Sequence, residues 1–144
     1  MNVCDLKPQD RETLLEQIGA TLHRHQEIFF AFCHGSFAED RPFRDIDLAV
    51  FLDPGLAPEV DFRYEMQLES EIEKAINRPA PIDVRLLNTA KLSFQYHALK
   101  GRLLLDRQPD IRIDFTTKTL ARYLDIAPIL KFHTKEAFAG ETGP

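Results

Sequence analysis

The hydrophobic positions of this chain change period from segment to segment, and each change marks an element. Between Pro8 and His25, Leu14, Leu15, Ile18 and Leu22 recur at helical spacing, with Arg11, Glu12, Glu16 and Gln17 on the other side. That pattern predicts an amphipathic helix with Asp10 as its N-cap. Ile28 to Cys33 is a short aromatic-rich apolar run that suits a buried strand, and His34-Gly35-Ser36 breaks it. Phe37 to Asp40 then reads as one helical turn and Arg41 to Arg44 as a loop. A second strand is expected from Asp45 to Leu52, ended by the turn residues Asp53-Pro54-Gly55. The next stretch, Pro58 to Asn77, reads as a long helix with Leu68, Ile72, Ala75 and Ile76 on one face. Pro81 to Asn88 is a third strand in which Asp83, Arg85 and Leu87 share a face. Thr89 is placed to cap a helix through about Leu99, and Arg102 to Asp106 forms a fourth strand. From Ile111 the chain is expected to be helical, with Pro128 kinking or dividing the helix. Gly140 to Pro144 reads as disordered.

The first two strands follow one another without a helix between them, which favours a mixed sheet over a doubly wound parallel one. The expectation is a single-domain α+β fold, a mixed β-sheet flanked by helices. Residues 1–110 form its main domain, and 111–144 a helical tail that joins the same domain or docks on a partner.

Composition narrows the function classes. The 144 residues, 44% of them apolar and 28% charged, match an ordinary globular protein with a core of its own. A net charge of −5 argues against generic electrostatic binding to nucleic acid or anionic membrane. Cys4 and Cys33 make no disulfide framework and lack zinc-site spacing, so they read as free buried thiols in a reducing cytosol. The charged N-terminal stretch does not resemble a signal peptide, and no apolar run approaches the roughly 18 residues of a membrane span. The chain therefore reads as soluble and cytoplasmic.

The chemistry lies between Ile28 and Asp83. On a strand, Asp45 and Asp47 point to one face together with Ala49 and Phe51, while Ile46, Leu48, Val50 and Leu52 point to the other. Two like charges on an apolar strand are costly unless a cation lies between them, and a divalent metal is the economical explanation. Gly35-Ser36 sits where a strand hands over to a turn. There a ligand can approach the backbone, and the Ser36 hydroxyl and neighbouring N–H groups can hold phosphate oxygens. Asp83 adds a third carboxylate inside an apolar strand. Three such acids on neighbouring strands can hold two magnesium ions about 4 Å apart, as phosphoryl-transfer sites do, with Asp83 as candidate base for an acceptor hydroxyl. A lone Gly-Ser turn or Asp-x-Asp usually binds nothing; the combination is the specific signal. Arg85 can neutralise a phosphate or pair internally with Asp83. His34 can touch a nucleotide, Lys100 can reach a phosphate and Tyr123 can be a contact residue, but the preferred readings are a satisfied strand-end histidine, a solvated lysine at a helix end and packing.

These motifs resemble the polymerase-β-type nucleotidyltransferase superfamily, and within it the minimal nucleotidyltransferases (MNT) that act as antitoxins in HEPN/MNT toxin–antitoxin pairs. The resemblance runs from Ile28 to about Asp106. It implies a nucleotidyltransferase palm in which Gly35 and Ser36 hold the phosphates of ATP, Asp45 and Asp47 bind the metals, and Asp83 completes the site. It also implies a HEPN-family toxin as partner, and AMP transfer from ATP to a tyrosine hydroxyl of that toxin. Two alternatives are an antitoxin that neutralises its partner by binding alone, and an adenylyltransferase of a small hydroxylated molecule such as an aminoglycoside. Fewer than 40 residues follow Asp106, so the acceptor pocket is expected to be completed by another chain, a partner or a second copy. The chain departs from the family in its loop. Only eight residues, FAEDRPFR, separate Ser36 from Asp45, fewer than is usual. The loop carries Glu39 and Asp40, whose charge Arg41 and Arg44 offset, and Arg44 is also a candidate nucleotide contact.

Overall fold

The computed structural model describes residues 4–77 and 79–136, with side chains as far as residue 125. Helix α1 (Pro8–His23) leads into strand β1 (Ile28–His34) and the single turn α2 (Gly35–Ala38). Then follow β2 (Ile46–Leu52), α3 (Phe62–Ala75), β3 (Ile82–Leu86), α4 (Leu92–Ala98), β4 (Arg102–Asp106) and α5 (Pro109–Glu136). The strands form one sheet in the order β3-β2-β1-β4. β1 is antiparallel to β2 and β4, whereas β2 and β3 are parallel and joined by the α3 crossover. The chain is thus a single-domain α+β fold built on a mixed sheet.

Helices cover both faces. Ile46, Leu48, Val50 and Leu52 enter one core with Leu14, Leu15, Ile18 and Leu22 of α1 and Leu68 and Ile72 of α3. On the opposite face Phe30, Phe32, Ala49 and Phe51 pack with Ala98 of α4. Phe115 of α5 closes that side, its ring 5.9 Å from Phe30 and 4.9 Å from Phe51 between centroids. A sheet sandwiched in this way explains why β1 is apolar almost throughout rather than alternating.

Several local expectations are corrected. Asp10 lies in the first turn of α1; Lys7 occupies the cap position and Pro8 begins the helix, its fixed φ suited to that place. Thr89 does not cap α4, because Lys91 stands at that position. Pro58 belongs to a short 3-10 turn (Ala57–Glu59). The extended Val60 separates this turn from α3, which is capped by Asp61 accepting from the Arg63 N–H at 2.9 Å. Ala75 is exposed, while Leu68, Ile72 and Ile76 are buried. Asp45 lies just before β2 rather than in it. Pro128 does not divide α5, which runs unbroken from Pro109 to Glu136; a proline removes only one helical hydrogen bond. The disorder expected for Gly140 to Pro144 lies outside the described residues.

The β3 edge of the sheet is closed by α3. The N–H groups of Ile82, Val84 and Leu86 donate to Glu73, Glu69 and Glu65 at 3.0, 2.8 and 3.0 Å. Four helical residues rise about 6 Å and two strand residues about 6.6 Å, so glutamates at every fourth position meet alternate amides.

Candidate active site

Sheet register brings the acids together. Asp47 of β2 is paired with Asp83 of the parallel neighbour β3 and with His34 of β1, so the three form a row at one end of the sheet. Asp45 is exposed, two residues before Asp47 and just outside the strand. Gly35 begins the turn after β1 with φ +79°. A Cβ there would stand 2.5 Å from Asp47 Oδ2, so only glycine meets both the backbone angle and the approach to that carboxylate. Ser36 follows, half-buried, in α2.

Asp47 bears the electrostatic cost of this arrangement. Burial first, and then the negative charges of Asp45 and Asp83, push the Asp47 acid up to about 6, against a smaller opposing pull from Arg85. Arg85 approaches Asp83 at 3.9 Å, but both side chains are largely exposed and the pair is weak. Its guanidinium also lies over the Phe94 ring, 5.3 Å from the centroid. Burial lowers the pKa of His34, which meets the Phe94 ring edge-on at 5.3 Å and is half-buried. Cys33 is buried and its thiol pushed up to about 12, which makes it inert rather than nucleophilic.

Among the described residues, no three His, Cys, Asp or Glu side chains converge as a ready-made metal cage. Magnesium does not require one, since it keeps several waters and is commonly held by one or two carboxylates and a substrate's phosphates. Asp47, raised first by burial and then by the neighbouring carboxylates of Asp45 and Asp83, fits that hard-oxygen donor set.

The loop from Ser36 to Asp45 is braced from below. Phe37 and Phe43 pack edge to face at 4.7 Å, and the Phe43 backbone bonds Cys4 in both directions at 2.6 and 2.8 Å. Arg11, expected on the exposed side of α1, is instead only 3% exposed. It donates to the carbonyls of Phe37, Arg41 and Leu6 at 3.0, 2.7 and 3.2 Å. Its guanidinium faces the Phe37 and Phe43 rings at 5.4 and 5.2 Å. The sequence did hold a signal: Arg11 is in phase with Leu14, Leu15, Ile18 and Leu22 on the apolar stripe. Arg41 meets Glu39 at 3.2 Å, so one of the loop's acids is compensated within the loop. Arg44 is exposed beside Asp45.

Residues 16–110 match the family described as polymerase beta, nucleotidyltransferase. Among solved structures, the chain resembles one from a complex of tri-AMPylated HEPN toxin with MNT antitoxin from Shewanella oneidensis. The TM-score is 0.65 at 18% identity, covering 90% of this chain and 99% of that one. A toxin–antitoxin structure with AMP-PNP gives a TM-score of 0.67 at 19% identity, covering 87% and 98%. The toxin–antitoxin MntA-HepT gives 0.60 at 16% identity, covering 92% and 100%. No curated protein matches the chain.

Proposed function

This chain belongs to the polymerase-β nucleotidyltransferase family, and from that premise we propose that it transfers AMP from ATP, with magnesium, to a tyrosine hydroxyl of a HEPN-type toxin and so acts as its antitoxin. The observation that carries the reading is the register of Asp47 beside Asp83, with the Gly35 turn pressed against the Asp47 carboxylate. Asp45, Asp47 and Asp83 would hold the metal, and Gly35 and Ser36 would hold the phosphates of ATP, with Arg44 and Arg85 as further nucleotide contacts. Bound magnesium would supply charge neutralisation for the phosphates. The acceptor oxygen attacks the α-phosphorus, and the bond to the α–β bridging oxygen breaks. Pyrophosphate leaves, and the hydroxyl proton passes to the Asp83 carboxylate.

The partner rests on fold similarity to toxin–antitoxin complexes, among them one with an AMPylated toxin and one with AMP-PNP. It is supported by an exposed stripe on α5, where Ile113, Leu120 and Leu124 repeat on one face. The test incubates the protein with labelled ATP, magnesium and a HEPN-type partner. Label is expected on the partner with the intact protein, and none with Asp45→Ala plus Asp47→Ala or after chelation. Neutralisation of the partner without any transfer would favour binding alone. Label on an added aminoglycoside and not on protein would favour a small-molecule acceptor.

A further inference from the structure

A second concave surface adjoins the row of acids. Its volume is about 610 Å³, and His34, Gly35, Glu39, His97, Lys100 and Arg102 are among its lining residues. None of Asp45, Asp47 and Asp83 lines it, while Gly35 borders both this cavity and the Asp47 carboxylate. The cavity exists because of another glycine. A Cβ on Gly101 would collide with the Cys33 carbonyl and stand 3.0 Å from the His34 Cβ, so the turn from α4 to β4 can press against the end of β1 only as glycine. That contact carries Lys100 and Arg102 to the Gly35 turn.

Charge in the cavity is unevenly satisfied. Arg102 is held by both carboxylate oxygens of Glu12, at 2.9 and 2.5 Å, and Glu39 by Arg41 at 3.2 Å. Lys100 has no carboxylate partner among the described residues; its Nζ lies over the Tyr96 ring, 4.4 Å from the centroid. Tyr96 in turn stacks on Tyr123 at 3.7 Å, which braces the end of α4 against α5. A braced lysine with its charge unspent, next to an exposed histidine at 97 and a turn that approaches the acids, is suited to an anion that extends from them.

We propose that this cavity receives the β- and γ-phosphates of the nucleotide, with Lys100 as the residue that holds them and His97 as a second contact. The placement rests on the nucleotidyltransferase reading above and deepens it. The acids would face the α-phosphate end, and the polyphosphate passes Gly35 into the basic cavity. Lys100 therefore sets the preference for a triphosphate over a monophosphate.

Calorimetric titration of the full chain with ATP and AMP, each with magnesium, tests the assignment on wild type, Lys100→Ala and Lys100→Arg. Lys100→Ala is expected to weaken ATP binding about tenfold or more, the usual effect of losing one charge-assisted contact. AMP binding should stay unchanged, and Lys100→Arg should keep most of the ATP affinity. Lys100 is exposed, so an unchanged melting curve separates lost contact from lost fold. A wild-type preference for ATP that survives in Lys100→Ala overturns the placement and leaves the nucleotidyltransferase reading standing. A wild-type chain that binds no nucleotide overturns both.

Discussion

Asp47 carries the largest electrostatic strain described at the site, and the strain has a sign that can be measured. Burial and two neighbouring carboxylates raise its acid to about 6, above the ordinary value near 3.9 of an unfolded chain. Below about pH 4 both states hold the proton. Between about pH 4 and 6 the unfolded chain has lost it and the native state keeps it, and above about pH 6 both are ionised. Ionisation thus costs the fold stability progressively from about pH 4 to 6, and the cost is constant above. Asp47→Asn should therefore unfold later than wild type at pH 8, by on the order of 1 kcal/mol after allowing for solvent screening at a half-buried site. The gap should close near pH 4; equal melting at pH 8 would show that burial and its neighbours do not raise the Asp47 acid. Asp47 and Asp83 stand out in the sequence because carboxylates in apolar strands are chemically anomalous, whereas Asp45, placed in the strand by its spacing from Asp47, lies just before it. Arg11 was legible only through its phase with the apolar stripe of α1, a signal outweighed because an arginine on an amphipathic helix defaults to solvent. Its burial depends on carbonyls more than 25 residues away that only the folded loop supplies.

At the scale of elements, the β3 edge depends on α3. In sequence, Glu65, Glu69 and Glu73 read as a solvated helix face. Their role emerges only once the crossover lays α3 alongside alternate amides of β3. Glu69→Ala should cost about 1 kcal/mol by leaving the Val84 amide without its acceptor. Replacing all three with Ala should expose the strand edge and produce concentration-dependent self-association on size-exclusion chromatography. A triple variant that stays at wild-type elution volume and stability would show that the ladder is incidental. Element types and order were legible from periodicity, since helices and strands here switch cleanly between periods. The caps were not: Asp10 and Thr89 have the right chemistry, but Pro8 and the chain geometry near Lys91 set the helix starts.

Over the whole molecule, the sheet separates two cores, and α5 belongs at least in part to the second. Phe115 packs on Phe30 and Phe51 across that face. Phe115→Ala should lower the midpoint of one cooperative unfolding transition, by about 2 kcal/mol for this partly buried ring. A separate early transition confined to α5 would instead mark residues from 111 onward as an independent tail. The mixed sheet was legible because the first two strands are joined by no more than a single helical turn, too short for a parallel crossover. The basic cavity beside Gly35 was not, since it is created by the close approach of Gly101 to Cys33 and His34. Among the described residues no helix is long and apolar enough to cross a membrane.

Transfer by these acids, as proposed, differs from mere binding in the mass it leaves on the partner. Intact-mass spectrometry of a HEPN-type partner, co-expressed with this chain or with its Asp45→Ala plus Asp47→Ala variant, tests it most directly. A partner heavier by whole AMP units is expected with the intact chain, and one of unmodified mass with the variant. A partner of unmodified mass in both cases, yet neutralised by both chains, would contradict it.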